Sequence, residues 1–266
     1  MEKYLSKALA TTAVALGFGL ASLPASAVGV FNEFTIDEGS VPGSSSVTFV
    51  ADKINGGYTE RITFDGMGGF DAAAFADFGQ YFANDGTTLI TISQLNTNYG
   101  LYALFQSSGT VTPLGAPFLP GSAIFTGTSG GFSLFLDPDQ NTTKTLGATG
   151  SDPITLANNA DDILIAFATD LTSATGTLVA GVGGFFDLIF NDFTLTAAGA
   201  AYFVAPSPFY FRVNVDGDFD SFSITGTQTV TGDVSAVFVP EPGTLALVGV
   251  SLLGLGGLSR IRRARA

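Results

Sequence analysis

The feature that most constrains this chain is an alternation of apolar and polar side chains with a period of two. It is clearest at Ser46–Ala51, Tyr58–Phe64 and Thr88–Ser93. Further segments with the same pattern are Phe132–Leu136, Phe185–Phe190, Phe211–Val215 and Thr227–Phe238. In an extended strand, successive side chains point to opposite faces, so this period predicts strands with one buried face. Phe, Val and Thr dominate these segments, as is typical of strands.

Glycine-containing turn signals separate the alternating segments. They are Asn55-Gly56-Gly57, Asp65-Gly66, Asn84-Asp85-Gly86 and Asp216-Gly217. Many short strands with such turns predict an all-β fold, and we expect an antiparallel β-sandwich. One stretch, Phe70–Gln80, fits either a helix or a pair of strands.

The N-terminus has the three parts of a secretory signal peptide. Lys3 and Lys7 precede the apolar stretch Ala8–Leu23, and Ala25 and Ala27 form a small-x-small cleavage signal. This order predicts export and removal of residues 1–27. The mature chain is then expected to begin at Val28.

The C-terminus has three parts as well. Pro240, Glu241 and Pro242 precede the stretch Gly243–Ser259, which has 17 residues and no charge. As a helix this stretch would be about 26 Å long, at the short end of what crosses a bilayer. A cluster of basic residues follows: Arg260, Arg262, Arg263 and Arg265. Arginines beside a membrane span favour the cytoplasmic side, so the sequence predicts a C-terminal transmembrane helix with its tail inside.

This C-terminal arrangement resembles the PEP-CTERM sorting signal of Gram-negative bacteria. The resemblance implies transient anchoring in the inner membrane and processing by an exosortase, a membrane-embedded enzyme, after passage through the secretion machinery. Delivery to the cell surface or the extracellular matrix would follow. The segments Phe34–Gly43 and Ala51–Glu60 also resemble the flocculation-associated group of PEP-CTERM proteins, which implies a role in polysaccharide flocs.

The sequence therefore predicts a signal peptide (1–27), an exported domain (28–239) and a sorting signal (240–266). The exported domain carries 21 acidic side chains and four basic ones, a net charge of −17. A surface this acidic does not bind a nucleic-acid backbone by counterion release. The chain has no Cys, His or Trp, which excludes Ser-His-Asp catalysis and zinc sites built from His or Cys. Hydrolysis by paired carboxylates stays open, but no Asp pair has a catalytic sequence context, and we expect no enzyme activity.

Two acidic groups are candidates for a calcium site. One contains Asp137, Asp139 and Asn141; the other contains Asp216, Asp218 and Asp220. Both resemble the opening of an EF-hand loop. Neither continues as one, because the glycine expected at the sixth place is Thr142 or Ser221, and the closing glutamate is Ala148 or Thr227. A calcium site of another geometry and a solvated turn are the two open interpretations, and no other cofactor is expected.

Taken together, these features predict an exported surface or extracellular-matrix protein. Its expected role is structural or adhesive, in association with exopolysaccharide in flocs or biofilms. The first alternative is a carbohydrate-binding module with a defined sugar site, and the second, less favoured one is an exported hydrolase. The sequence does not identify a sugar, a partner or an oligomeric state.

Overall fold

The computed structural model describes residues 31–207, 209 and 211–240, which form strands and one short α-helix. The strands are β1 (Phe34–Asp37), β2 (Thr48–Ala51), β3 (Lys53–Phe64), β4 (Gly69–Ala83), β5 (Thr88–Leu89), β6 (Gly100–Pro113), β7 (Ala123–Asp137), β8 (Thr143–Thr145), β9 (Thr155–Ala157), β10 (Ile163–Ala168), β11 (Leu171–Val179), β12 (Gly183–Phe190), β13 (Thr194–Leu195), β14 (Phe203–Ala205), β15 (Phe211–Phe219) and β16 (Thr227–Pro240). A 3₁₀ turn covers Glu38–Ser40, and helix α1 covers Ala197–Tyr202. The expectation of a mainly β domain is therefore confirmed.

Eight of these strands form one antiparallel sheet that closes on itself into a barrel. Strands β3, β4, β6, β7, β11, β12, β15 and β16 each pair with the next member of this series, and β16 pairs with β3. The predicted β-sandwich is therefore wrong. A sandwich and a closed sheet need the same alternation of apolar and polar residues, so the period could not distinguish them. The pairing of the first strand with the last decides between them.

Glycines at bulges help this sheet to curve. Register shifts occur at Asn55/Gly56 and Ser108/Gly109. A Cβ at Gly56 would lie 2.1 Å from the Asp77 carbonyl oxygen, so a larger residue does not fit there. Bulges increase local twist and bend a strand, as closure requires. Asn55-Gly56-Gly57 therefore lies inside β3 and is not the predicted turn, and Asp216-Gly217 likewise lies inside β15.

One end of the closed sheet is covered by additional elements. Strands β14, β1 and β2 form a small sheet, and β10 pairs with the second half of β7 and with β13. Helix α1 contacts β10 and β1, and its N-cap is Thr196, whose hydroxyl accepts the N–H of Gly199. Closely packed aromatic rings fill this end, among them Phe34, Phe203 and Phe238. We call this region the capped end.

The opposite end has a smaller core. Phe64, Phe70 and Phe125 pack there with Leu178, and Phe222 from the β15–β16 connection contacts this group. The segment between β7 and β10 lies outside the closed sheet and contains the β8–β9 hairpin. Its Lys144 ammonium lies 2.8 Å from the Asp77 carboxylate on β4.

The ambiguous stretch Phe70–Gln80 is part of strand β4, so the helical interpretation is wrong. Its period is disturbed at Gly79, where the register with β3 shifts and both Phe78 and Tyr81 become buried. In the part of the chain that the structure describes, no helix has the length and apolar character needed to cross a membrane. The predicted transmembrane helix at Gly243–Ser259 lies outside the described residues, so the structure does not support it.

Candidate functional site

The most distinctive site is a cavity inside the closed sheet, away from the capped end. Strand β3 contributes Tyr58, Glu60 and Ile62 to its wall, because alternate residues of a strand share one face. Glu60 lies between Ala74 of β4 and Val230 of β16 in the strand register. One carboxyl group thus points into an otherwise apolar interior.

Small residues between large apolar ones leave this space open. The small residues are Ala72, Ala74, Ser107, Gly127, Ala174 and Gly176. The large residues are Phe70, Phe105, Phe125, Phe186, Leu188, Phe219 and Phe222. The cavity volume is about 90 Å³, several times the roughly 10–15 Å³ that one water molecule needs. An apolar ligand of a few heavy atoms or a small group of waters therefore fits.

Two polar groups of the cavity, those of Glu60 and Tyr58, have no hydrogen-bond partner in the part of the chain that the structure describes. No described residue forms a hydrogen bond with the Glu60 carboxyl, and burial raises its pKa to about 7. Tyr58 is 6% exposed, and its hydroxyl is buried without a hydrogen-bond partner among the described residues. Burial, followed by the negative charges of Glu60 and Asp218, raises the pKa of Tyr58 far above its usual value. The Tyr58 ring is held edge-on by Phe186, with ring centroids 5.3 Å apart.

A second feature, which we call the outer groove, lies on the outside of the sheet. The Phe185 side chain is 60% exposed there, beside the residues Asp218, Asp220 and Asp233. Phe185 is paired with Asp218 across β12 and β15. The Asp218 carboxylate accepts the backbone N–H of Asp233 at 3.0 Å. The groove thus places an apolar ring next to several hydrogen-bond acceptors.

The structure separates the predicted calcium ligands Asp216, Asp218 and Asp220. Asp216 and Asp218 are exposed on strand β15, and Asp220 follows the end of that strand. Among the acidic groups that the structure describes, these three do not converge on one point. Asp216 instead lies opposite Asp187 of β12. Calcium binding at this position stays a prediction.

The other predicted group, which contains Asp137, Asp139 and Asn141, does not form the predicted ligand set. Carboxylate oxygens of Asp137, Asp161 and Asp162 lie within 4.8 Å of one another. Asp139 and Asn141 contribute backbone N–H groups to this turn: Asp139 donates to Asp161, and Asn141 donates to Asp137. Hard cations favour carboxylate oxygens, so the trio has the right chemistry for calcium. Its oxygens are also occupied as acceptors of local hydrogen bonds, including those from the Tyr102 hydroxyl and Thr142 to Asp162.

The remaining predicted residues concern sorting. Pro240 is the last residue of β16, where its backbone is paired with Phe211. All others lie outside the described residues: Ala25, Ala27, Glu241, Pro242, Arg260, Arg262, Arg263 and Arg265.

The predicted site residues did not include Glu60 or Phe185. A signal for Glu60 was present. In the segment Tyr58–Phe64, the residues of the apolar face are Tyr58, Glu60, Ile62 and Phe64, so the acid occupies a core-facing position. Nothing comparable marks Phe185, because Phe185 and Phe186 are adjacent and either could face inward.

Comparison with known proteins supports the assignment of the C-terminus. Residues 238–263 match the family model described as the PEP-CTERM protein-sorting motif. The predicted sorting signal is confirmed, whereas the flocculation group is not. No curated protein matches this chain. Among solved structures, the crystal structure of Ail, the attachment invasion locus protein of Yersinia pestis, covers 71% of this chain and 96% of its own, at 9% identity. Its TM-score is 0.18, and nothing further rests on that likeness.

The chain is thus an exported protein that carries a PEP-CTERM signal and is processed by an exosortase, a membrane enzyme.

Proposed function

We propose that the processed protein is a non-enzymatic component of the cell surface or extracellular matrix that contacts exopolysaccharide, with a structural or adhesive role in flocs or biofilms. The sorting signal supports this role because it accounts for export and membrane processing.

The single observation that carries the proposal is the outer groove. An exposed aromatic ring offers an apolar face to the C–H side of a sugar ring, and the carboxylates of Asp218, Asp220 and Asp233 accept hydrogen bonds from sugar hydroxyls. Thr177 and Thr231 add hydroxyl groups along the same groove. This mixture of one apolar face and several acceptors is complementary to a carbohydrate and repels polyanions.

The absence of enzyme activity is part of the proposal. Glu60, the titratable acid with a pKa near 7, faces the interior of the sheet and does not line the outer groove. A glycosidase needs two carboxyl groups on opposite sides of one accessible bond. The acidic residues of the outer groove instead lie beside one exposed ring, an arrangement that suits binding of a sugar and not its hydrolysis.

The alternative is a carbohydrate-binding module with a defined sugar site. The outer groove favours this alternative because it is a localised site. The two functions differ in specificity: a module binds one oligosaccharide saturably, whereas a matrix component binds several polymers weakly.

The exported protein should be tested for binding to a panel of bacterial exopolysaccharides and short oligosaccharides. We expect Phe185→Ser to weaken binding about tenfold, because the apolar face of the groove is lost. Phe118→Ser is the matched control, since Phe118 is an exposed phenylalanine elsewhere on the surface. Absence of binding to every polymer, or equal loss in both variants, would contradict the proposal. Release of reducing ends from any polymer would instead identify a hydrolase.

The transient anchor has its own test. Intact-mass analysis of the exported protein should show a chain that begins at Val28 and lacks the C-terminal arginines. Glu241→Ala should leave the protein in the membrane without affecting the fold of the exported domain, since Glu241 follows the last strand. Exported protein that still contains Arg265 would contradict the transient anchor.

A further inference from the structure

The cavity inside the closed sheet has no role in sorting or in the outer groove. Two polar groups of its wall, the half-buried Glu60 carboxyl and the buried Tyr58 hydroxyl, have no hydrogen-bond partner among the residues that the structure describes. Buried polar groups are usually hydrogen-bonded, and each exception calls for an explanation. A ligand that supplies the missing partners is one such explanation.

We propose that this cavity binds a small apolar molecule that carries one cationic amine. The aromatic and aliphatic wall holds the apolar body, and Glu60 and Tyr58 hold the amine. This function is independent of the proposed contact with exopolysaccharide.

The residues that line the cavity indicate that the main part of the ligand is apolar. Apart from Glu60, Tyr58, Ser107 and Thr175, the lining residues are apolar or glycine. Ligand cavities of this kind are mainly hydrophobic, with a few polar groups that fix the orientation. Closed sheets of eight strands have an interior just wide enough for side chains or one small ligand. Here the small residues of β4 and β11, such as Ala74 and Ala174, leave part of that interior unfilled.

The negative charge of ionised Glu60 indicates that the polar group of the ligand is cationic. Glu60 and Tyr58 are the titratable residues of the lining, and no basic side chain lines the cavity within the described residues. A buried carboxylate without a counter-charge is costly, so an anionic ligand would be repelled and a neutral one would leave the charge unpaired. An ammonium group neutralises the carboxylate and donates further hydrogen bonds, one of them to the Tyr58 hydroxyl oxygen. The surrounding rings, including Phe105 and Phe186, add attraction for a cation.

Protonation of Glu60 links binding to pH. An amine with a pKa near 10 is protonated at pH 5–8, and it pairs with the ionised form of Glu60. Because burial holds the Glu60 pKa at about 7, the carboxyl of the free protein keeps its proton below that pH. Binding of the ammonium ion then requires release of that proton. Affinity for the amine should therefore fall about tenfold for each pH unit below 7.

The experiment is calorimetric titration of the exported protein with propylamine, propanol and butanoate, three small probes that each carry a propyl chain. We expect propylamine to bind at least about tenfold more tightly than propanol at pH 8, and butanoate to bind most weakly. The preference for propylamine should decline from pH 7 to pH 5. Failure of all three probes to bind would overturn the proposal, and equal affinity for propylamine and propanol would overturn the assignment of the head group.

Two variants distinguish the contact with the amine from the apolar contacts. Glu60→Gln should abolish the preference for propylamine and its pH dependence while propanol still binds; Glu33→Gln, at an exposed glutamate, is the matched control. Ala74→Leu should fill the cavity and reduce the binding of all probes. Glu60→Gln removes an ionisable group from an apolar cavity and is expected to fold, so the proposal remains testable even if Ala74→Leu does not fold. An unchanged preference for propylamine in Glu60→Gln would contradict the proposal.

Discussion

Two glutamates, the fully buried Glu38 and the half-buried Glu60, show how differently the two regions of this interior are built. At the capped end, the Glu38 carboxylate is inaccessible to solvent and accepts hydrogen bonds from the Ser93 hydroxyl at 2.6 Å, the Gln94 backbone N–H at 2.9 Å and the Tyr99 hydroxyl at 2.9 Å. In the cavity, Glu60 has no such partner among the described residues. A satisfied acid of this kind stabilises a fold, whereas an unsatisfied one is available to a ligand.

The tyrosines repeat the same contrast. At the capped end the hydroxyl groups of Tyr99, Tyr202 and Tyr81 form a chain, with oxygen–oxygen distances of 2.7 and 2.5 Å. Tyr99 connects this chain to Glu38. The Tyr58 hydroxyl in the cavity is buried without a partner in the described part of the chain. The capped end is therefore a structural core, and the cavity wall is the candidate for function.

The largest expected effect separates the two glutamates directly. Glu38→Ala should lower the free energy of unfolding by about 3–5 kcal/mol, because several buried donors lose one shared acceptor. Glu60→Gln should raise the free energy of unfolding at pH 7, by at most about 3 kcal/mol, because it removes a carboxyl group whose ionised form is disfavoured by burial. Urea denaturation of both variants measures the difference. Equal destabilisation would mean that the contrast between the two regions does not exist.

The pH dependence of stability gives the next effect. The Glu60 pKa is raised in the folded protein from 4.5 to about 7, so the folded state binds the proton more tightly than the unfolded state. The destabilisation is absent below pH 4.5, grows as the pH rises to 7, and is constant above it. Relative to Glu60→Gln, wild-type stability should fall by at most about 3 kcal/mol across this window.

The comparison with Glu60→Gln also removes contributions from other acids. Burial raises the pKa of Asp162 and Asp187, whereas hydrogen bonds from the backbone lower the pKa of Asp65 and Asp192. These groups act equally in both proteins. Parallel stability curves for wild type and Glu60→Gln from pH 4 to pH 8 would show that Glu60 is hydrated in solution.

Removal of single hydroxyl groups should give a smaller effect. Tyr81→Phe breaks the buried chain with Tyr202 and should cost about 1–3 kcal/mol. Tyr58→Phe removes a hydroxyl without a partner and should be neutral or mildly stabilising. Thermal and urea unfolding of the two variants provide the measurement, and a larger loss in Tyr58→Phe would refute the assignment of the cavity.

The smallest effect concerns two alanines on the inner face of the same strand. Ala74 lines the cavity and is 8% exposed, while Ala76, two residues along β4, is 0% exposed. Ala74→Val should gain about 0.5–1 kcal/mol by partial filling of the cavity. Ala76→Val should lose about 1 kcal/mol through overpacking. Changes of the same sign at both positions would argue against a boundary between packed core and cavity.

Much of the local structure could be predicted from the sequence. The strands around Tyr58–Phe64 and Thr227–Phe238 follow from their period, and Asp65-Gly66 lies in a turn as predicted. The prediction of turns failed where a glycine lies at a bulge within a strand. Asn55-Gly56 has a strong turn signal, but Gly56 is needed at a bulge where a Cβ would collide with the neighbouring strand. Local propensity cannot reveal a neighbour that is more than twenty residues away.

The candidate sites were less predictable for the same reason. Asp137 converges with Asp161 and Asp162, whereas the sequence grouped it with its neighbours Asp139 and Asn141. Carboxylates from distant segments meet only after β7 and β10 have paired. The cavity likewise combines residues from eight strands, each of which is an ordinary strand residue in isolation.

The sequence by itself determined the sorting signal, the β class and the orientation of Glu60 toward the interior, because each depends on the order and period of residues along a short segment. The tertiary structure alone decided that the sheet closes, that one end is packed while the middle keeps a cavity, and which acids meet. Closure depends on β3 pairing with β16, strands that are separated by most of the exported domain. The free energy of such a pairing comes from contacts between distant segments, and a local pattern that suits a sandwich equally well does not encode it.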